Sequence, residues 1–361
     1  MVARDAVRFS ITIAGVGMAV VLILFLLALY NGVRVEANGW VSSRPVDGWV
    51  AQSNTTNFIK SSSMLDAALE DSVRTDPGVE EVTSLLRLIT LIEAGPRHLT
   101  AIVVGIDPAS AAGRPDVVEG QAQVDSAGLI LDWALAKRLH TSVGDSVQVE
   151  GRTFRVTGVS RGTNSVLTQY AFVTLPQARA LLGFPDVASY LLVRTRAGVA
   201  PGDVLQRLRA RFPDVAVIAQ ATFAENNMDE MRGGLIPILT TVAVLGAIVA
   251  AAVLTLLLYG SVLERREDYA LLKAIGAPSR VLGWVMLAQA VAAVCGGLVV
   301  GSVVYALAVP ISAHLAPAVP LSLSWRTVAL VVSGSLATGI VGALLPLARI
   351  ARIHPAEVFR A

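Results

Sequence analysis

Charge is scarce in this chain and cysteine almost absent. Only 16% of its 361 residues are Asp, Glu, Lys or Arg, and the formal charge is +2. A balance this close to neutral offers no basic face to a polyanion, so nucleic acid is excluded as a partner. Cys295 is the single cysteine, which rules out an intrachain disulfide and a thiolate metal cage. Inside its apolar run it reads as a small buried hydrophobe. The phosphate-cradling GxxxxGK[ST] is missing, as are HExxH and GxSxG, so no residue is assigned to catalysis, a cofactor or a metal. His98, His140, His314 and His354 are scattered and read as solvated or capping groups. The pairs Glu80–Glu81 and Asp229–Glu230 read as solvated faces rather than as an acid and a base.

What the chain has in excess is apolar sequence: 54% of residues are hydrophobic and the mean hydropathy is +0.64, the composition of an integral membrane protein. Four runs free of charged residues are long enough to cross about 30 Å of hydrocarbon: 9–30, 235–263, 281–309 and 327–347. A secretion signal could also begin with Arg4 and Arg8. The first run is longer than such a signal's apolar core, however, and no small-x-small cleavage pattern follows Tyr30. The absence of Asp, Glu, Lys and Arg from the runs argues against an ion-coupled carrier, which depends on ionisable groups within the membrane.

Basic residues set the expected orientation. Arg4 and Arg8 precede the first run, Arg265, Arg266, Lys273 and Arg280 lie between the second and third, and Arg349, Arg352 and Arg360 follow the fourth. Positively charged flanks stay cytoplasmic. Residues 1–8, 264–280 and 348–361 are therefore expected inside, with 31–234 and the short 310–326 connection outside. The large outer segment carries 19 Lys and Arg against 22 Asp and Glu, an ordinary balance for a water-exposed domain.

That segment alternates short elements, giving the fold class expected here: a four-span α-helical membrane protein with an extracytoplasmic α+β domain of two lobes between its first and second spans. The pattern predicts a serine-capped helix over 63–73, a hairpin of 85–91 and 99–106 about Ala94-Gly95-Pro96, and a helix over 129–139. It also predicts strands at 147–149 and 154–156 about Glu150-Gly151-Arg152, a strand at 171–174, and a helix from Pro176 to Leu182 stopped by Gly183. A strand at 190–194, a helix over 204–212 and a strand at 215–218 complete the segment.

Residues 264–280 carry the most information. They read as a short helix with a charged start and an apolar stripe at Tyr269, Leu272 and Ile275, ended by Gly276 and Pro278. Lacking a domain of its own to pack on, the stripe is expected at a membrane interface or in a partner protein. Glu264-Arg265, Tyr269-Ala270-Leu271-Leu272-Lys273-Ala274-Ile275-Gly276-Ala277-Pro278 resembles the coupling helix of MacB/FtsX-like ABC transporter permeases. The ending Pro346…Arg349…Pro355-Ala356-Glu357…Arg360 resembles the terminal pattern of that family, and 129–183 resembles its outer-domain stretch.

The resemblance covers nearly the whole chain and implies a MacB-like periplasmic core domain with a porter lobe and a second lobe. It also implies an ABC ATP-binding subunit of the MacB/LolD-like kind as partner, with ATP and Mg used there and not by this chain. Only residues 1–8 precede the first span, so that subunit is expected to be a separate polypeptide. Glu264, Arg265, Glu267, Tyr269, Leu272, Lys273, Ile275, Gly276 and Pro278 would contact it, with Arg349, Arg352, Pro355 and Glu357 as a second cytoplasmic contact. A second permease copy, a lipid bilayer of the bacterial inner membrane, and a periplasmic adaptor or membrane-fusion protein complete the implied surroundings. Gly297 with Gly301 and Ser333 with Ala337 are small-residue spacings suited to helix packing, within the chain or between copies. Two other functions stay open at this stage: an FtsX-like transmitter that activates a cell-wall hydrolase, and a membrane-anchored binding protein without ATP coupling.

Overall fold

The computed structural model describes residues 2–36, 39–163, 169–264, 271, 275, 278–316, 319 and 321–351. Of the expected contact residues, Arg265, Glu267, Tyr269, Leu272, Lys273, Gly276, Arg352, Pro355 and Glu357 lie outside the described residues. The chain divides into two compact units, one of residues 1–32, 235–315 and 321–361, the other of 33–234 with 316–320.

The first unit is helical: α1 (Val2–Glu36), α8 (Leu235–Glu264), α9 (Ser279–Leu315) and α10 (Trp325–Ala351). Its packed centre is aliphatic, with Val16, Val20 and Leu24 of α1 against Ala290, Ala293 and Val294 of α9 and Val331 of α10. α8 and α9 both pack on α10, whereas Cys295 of α9, expected to be buried, is exposed. Two of the helices, over Ser10–Val33 and Gly283–Leu315, are long and apolar enough to cross a membrane, whereas the apolar stretches Pro237–Val253 and Trp325–Val341 are shorter. α9 carries Pro310 inside it and continues to Leu315, so the helix takes up the first third of the connection expected at 310–326. The Ser322 amide donates to the Ala28 carbonyl at 3.1 Å, and Asn31 Nδ2 donates to Thr327 Oγ1.

The second unit is α+β and is organised by one long strand, β3 (Val79–Ala94). Val79 to Leu85 pair with β11 (Tyr190–Thr195), and Leu86 to Ala94 pair with β4 (Arg97–Ile106), both antiparallel. On the first side the strand order is β12-β1-β11-β3, where β1 is Gly48–Gln52 and β12 is Val215–Ala219. With α3 (Leu69–Arg74) between β1 and β3, and α6 (Pro201–Arg211) between β11 and β12, this lobe has the split βαβ, ferredoxin-like connectivity. Its helices cover Val50, Val82, Leu191, Val193 and Val217, which alternate with residues facing the other way.

The other lobe continues from β4 to β9 (Gln169–Thr174), β6 (Gly128–Asp132), β8 (Arg152–Arg161) and β5 (Asp116–Gly120). β7 (Ser146–Val149) pairs with β8 and with Ile92 and Glu93 of β3, closing β3, β4, β9, β6, β8 and β7 into a ring. Leu88, Val103, Leu131, Val149, Val156 and Val173 fill its interior. α4 (Trp133–Leu139) and α5 (Leu175–Leu182) pack on it.

Two expected helices need correction. Over 63–73 the chain forms β2 (Leu65–Asp66), paired with β10 (Val187–Ala188), before α3 begins. α3 begins at Leu69, and its N-cap, Ala68, makes no side-chain cap bond; Ser63, five residues earlier, accepts the Gln52 amide and caps no helix. Over 129–139 the first four residues are strand β6, and the helix starts only at Trp133, capped by Asp132. Every residue of β6 is buried, and a short apolar run of that kind carries no period to distinguish it from a buried helix turn. The hairpin of β3 and β4 turns at Gly95-Pro96, with Gly95 at φ +59°. The turn of β7 and β8 has φ above zero at both Glu150 and Gly151, as a tight primed turn requires.

Asp132 supplies a pH test of this lobe. Its carboxylate accepts from the Ala134 amide and from Thr163 Oγ1, both at 2.8 Å, and it is 1% exposed. Burial pushes its pKa from 3.8 up to about 6, against the opposing pull of the Thr163 hydroxyl and the helix amides. The folded carboxyl thus keeps its proton to higher pH than the unfolded one, so this group's contribution to stability falls as pH rises from about 4 through about 6. Asp132→Asn keeps a good cap and removes the titration. Thermal melts of the two forms at pH 4 and pH 7 should therefore show the wild type losing ground to the variant at the higher pH, by at most about 3 kcal/mol. Parallel pH profiles would show that Asp132 does not titrate in this way.

Candidate functional site

The outer face of the closed ring and the inner face of the ferredoxin-like lobe meet at a cluster of rings. Trp49 and Tyr190 come from the first lobe, Tyr170 and Phe172 from the second, and Phe58 from the loop after β1. Two further rings arrive on helices next to the membrane-type unit in sequence. Trp40 lies on α2 (Gly39–Ser42), just after α1, and Phe223 lies on α7 (Gln220–Gly233), which Gly234 alone separates from α8.

Trp49 is fully buried and stacks on Phe223 with centroids 4.6 Å apart. It meets Tyr190 at 5.8 Å, Phe58 at 6.1 Å and Trp40 at 6.5 Å, edge to face in each case. Such pairs add about 0.5–1.5 kcal/mol each beyond the area they bury. Burial pushes the Tyr190 hydroxyl up to about 12 and raises Tyr170 as well, so both rings remain neutral.

Polar groups fix which way the flanking helices enter. Gln220 accepts from the Trp49 indole N–H, donates through Nε2 to the Val41 carbonyl at 2.6 Å, and its amide donates to the Asp47 carbonyl at 2.9 Å. One side chain thereby ties α7, α2 and β1 together. Asn227, fully buried, accepts the Phe58 amide at 2.7 Å, and Asn226 donates to the Thr56 carbonyl at 2.9 Å. Lys60 pairs with Glu230. Arg44 Nε donates to the Trp40 carbonyl at 2.9 Å while its guanidinium lies 5.4 Å from the Trp40 ring centre. Arg87 donates to the Ile59 carbonyl at 2.8 Å and lies over Phe58. These contacts fasten both chain ends of the α+β unit to one ring cluster.

No group of three or more His, Cys, Asp or Glu able to hold a metal is found among the described residues. The carboxylate pairs singled out in the sequence are engaged in ion pairs: Arg194 with Glu80 and Glu81, Arg232 with Asp229. Ile275 and Pro278 are exposed, as is the neighbouring Leu271. Glu264 closes α8 and Arg349 lies within α10.

Gly297 and Gly301 face α1 within the same chain: a Cβ at Gly297 would lie 2.4 Å from Val16 Cγ1, and one at Gly301 2.8 Å from the Gly17 carbonyl oxygen. Ser333 and Ala337 lie on an exposed face of α10, with Ser333 Oγ donating to the Ala329 carbonyl at 2.8 Å. The ring cluster was not anticipated from sequence. Its one advance signal is the placing of Trp40 and Phe223 in the segments that lead from and to long apolar runs.

Comparison with known proteins bears on both units. The MacB-like periplasmic core domain matches residues 9–211, and the FtsX-like permease C-terminal region matches 240–355. An uncharacterised ABC transporter permease of Mycobacterium bovis is 29% identical over 358 residues, covering 98% of this chain and 95% of its own. Another from Mycobacterium tuberculosis is 28% identical over 365 residues with the same coverage. Among solved structures, the periplasmic region of MacB from Actinobacillus actinomycetemcomitans aligns at a TM-score of 0.40 and 14% identity, over 51% of this chain and 93% of that one.

Proposed function

The chain belongs to the ABC transporter permeases that join a MacB-like periplasmic core domain to an FtsX-like permease region, and from that premise we propose that it converts ATP-driven motion at the cytoplasmic face into movement of its outer domain. A separate ATP-binding subunit, which uses ATP and Mg, docks on residues 264–280 through Tyr269, Leu272 and Ile275, with Arg349, Arg352, Pro355 and Glu357 as a second contact. α8 is the lever. It leads out of that segment and reaches α7 after Gly234, and α7 is held to the ring cluster by Gln220, Phe223 and Asn227. That clamp is the observation that carries the reading, because it fastens to both lobes the helix that adjoins α8 in sequence.

The four long helices span the bacterial inner membrane with both termini cytoplasmic, and two permease copies work together in exporting or extracting a substrate. Membrane embedding is supported by the exposed aliphatic side chains of the helical unit, such as Leu256 and Val299. It is supported too by the exposed Trp284 and Trp325 near the starts of α9 and α10, where aromatic rings suit a membrane interface.

Orientation is the direct test. In a chain with Cys295 replaced by alanine and Ile275 by cysteine, a membrane-impermeant maleimide should label inverted vesicles and leave intact cells unlabelled, and the chain should copurify with a P-loop ATPase. Labelling from outside the cell would end the proposal.

A further inference from the structure

Within the helical unit, α1, α8 and α10, with Val294 of α9, line a half-open cavity of about 310 Å³. Its walls are formed by Leu27 of α1, Ala243 and Ala247 of α8, and Val331 and Gly334 of α10, and no charged side chain lines it. The lining runs from Leu239 to Ala247 on α8, from Leu330 to Thr338 on α10 and from Val16 to Tyr30 on α1, about 12, 12 and 21 Å of helix at 1.5 Å per residue. Spread over those lengths, the volume has a mean cross-section of roughly 15–25 Å², the range of a single alkyl chain. The space arises because small residues stand where larger ones would fit. A Cβ added at Gly334 meets no atom within 4 Å, whereas at Gly297 and Gly301 it would collide with α1.

We infer that this cavity is a binding site for one acyl chain of a bilayer lipid. An apolar cavity of this size stays dry in water, and an empty one forfeits the dispersion contacts of its lining. Hydrocarbon surrounds the helical unit in the permease reading, on which this inference rests, and an alkyl chain matches both the lining and the width. In the orientation proposed above, the cavity occupies the outer half of the bilayer, with Tyr30 and Thr240 toward its outer end. The bound chain wedges α8 away from α1 and α10 along the first turns after Gly234, the part of the lever that follows α7 in sequence. Occupancy therefore sets the angle at which α8 delivers its motion.

The test uses the full chain with its ATP-binding subunit in nanodiscs of phosphatidylethanolamine and phosphatidylglycerol doped with a diazirine-bearing phosphatidylethanolamine. Irradiation should attach lipid to peptides covering 239–247 and 330–338. Gly334→Leu with Ala243→Leu fills the space with side chains and should cut that attachment by roughly tenfold. Val299→Leu, on the exposed face of α9, should leave it unchanged. Ala247→Leu, with its melting temperature measured, gives an independent filled variant should the double variant fold poorly. Equal attachment in a folded, filled variant, or attachment confined to outward faces such as that of Val299, would overturn the inference. Release of the wild-type chain from membranes by alkaline carbonate would instead overturn the permease reading beneath it.

Discussion

Replacing Leu272 and Ile275 together with aspartate is expected to release the ATP-binding subunit and to abolish coupled ATPase activity. Ile275 is 76% exposed and Leu271 is 57% exposed, so the apolar side chains described in this segment are left uncovered by the chain's own fold. A partner groove that covers them gains their burial, at about 1.5–3 kcal/mol for a side chain of that size. A carboxylate in the same groove is desolvated without a counter-charge and opposes binding. The two changes together should weaken the complex at least ~100-fold, the equivalent of about 2.7 kcal/mol. Copurification of the two subunits and ATP turnover in nanodiscs measure this directly. Since none of Leu271, Ile275 or Pro278 is buried, the variant should insert and fold normally, its outer domain melting with the wild type. Retained copurification would mean that the stripe does not dock.

How much of this architecture could be read from sequence depended on whether a residue's local neighbours or its distant ones fixed its conformation. α5 was legible because its ends are chemical: Thr174 and Gln177 form a reciprocal capping box, Pro176 opens the first turn, and Gly183 closes it at φ +81°. The β3–β4 hairpin was legible because Gly95-Pro96 interrupts two β-rich runs. β6 was not, since it is buried on both faces between β8 and β9 and alternation disappears there. α7 was missed for the opposite reason. Gln220, Asn226, Asn227, Asp229 and Glu230 make it look like a solvated linker, yet Asn227 is fully buried and hydrogen-bonded to the Phe58 amide, 169 residues away in sequence. No local pattern announces such a contact.

The long helices were legible from their uncharged runs, although their ends were not. α1 reaches Glu36 and α9 reaches Leu315, because a helix already nucleated gains a hydrogen bond with each further residue. The small-residue spacing in α9 had two readings from sequence alone, and the placement of Gly297 and Gly301 against Gly17 shows one partner of that face within the chain itself.

Trp49→Ala should have the largest effect on stability of any single change in the outer unit. The side chain is fully buried, meets four other aromatic rings, and donates its indole N–H to Gln220. Truncating a buried Trp costs about 3–5 kcal/mol through lost transfer energy and the cavity left behind. Gln220 loses its donor as well, which loosens the link between α7 and β1. Against a domain stability of about 5–15 kcal/mol, the loss is severe, and for a unit of this size it should lower the melting temperature by roughly 10 °C.

Trp49→Phe separates the two contributions. It keeps most of the ring packing but cannot donate to Gln220, so its smaller shift measures the hydrogen bond and the residual cavity together. Gln220→Ala, which leaves the rings in place, should melt closer to the wild type and yet lower the coupling between ATP turnover and transport, since it frees α7 from Val41 and Trp49 together. A Trp49→Ala chain melting within 2 °C of the wild type would show that the ring cluster does not hold the domain together, and a Gln220→Ala chain that changed stability and coupling in proportion would make the cluster an ordinary core. The distinction between a core and a clamp lies in that ratio: a core residue alters coupling only by unfolding the domain, whereas a clamp residue can break transmission through a domain that is still folded.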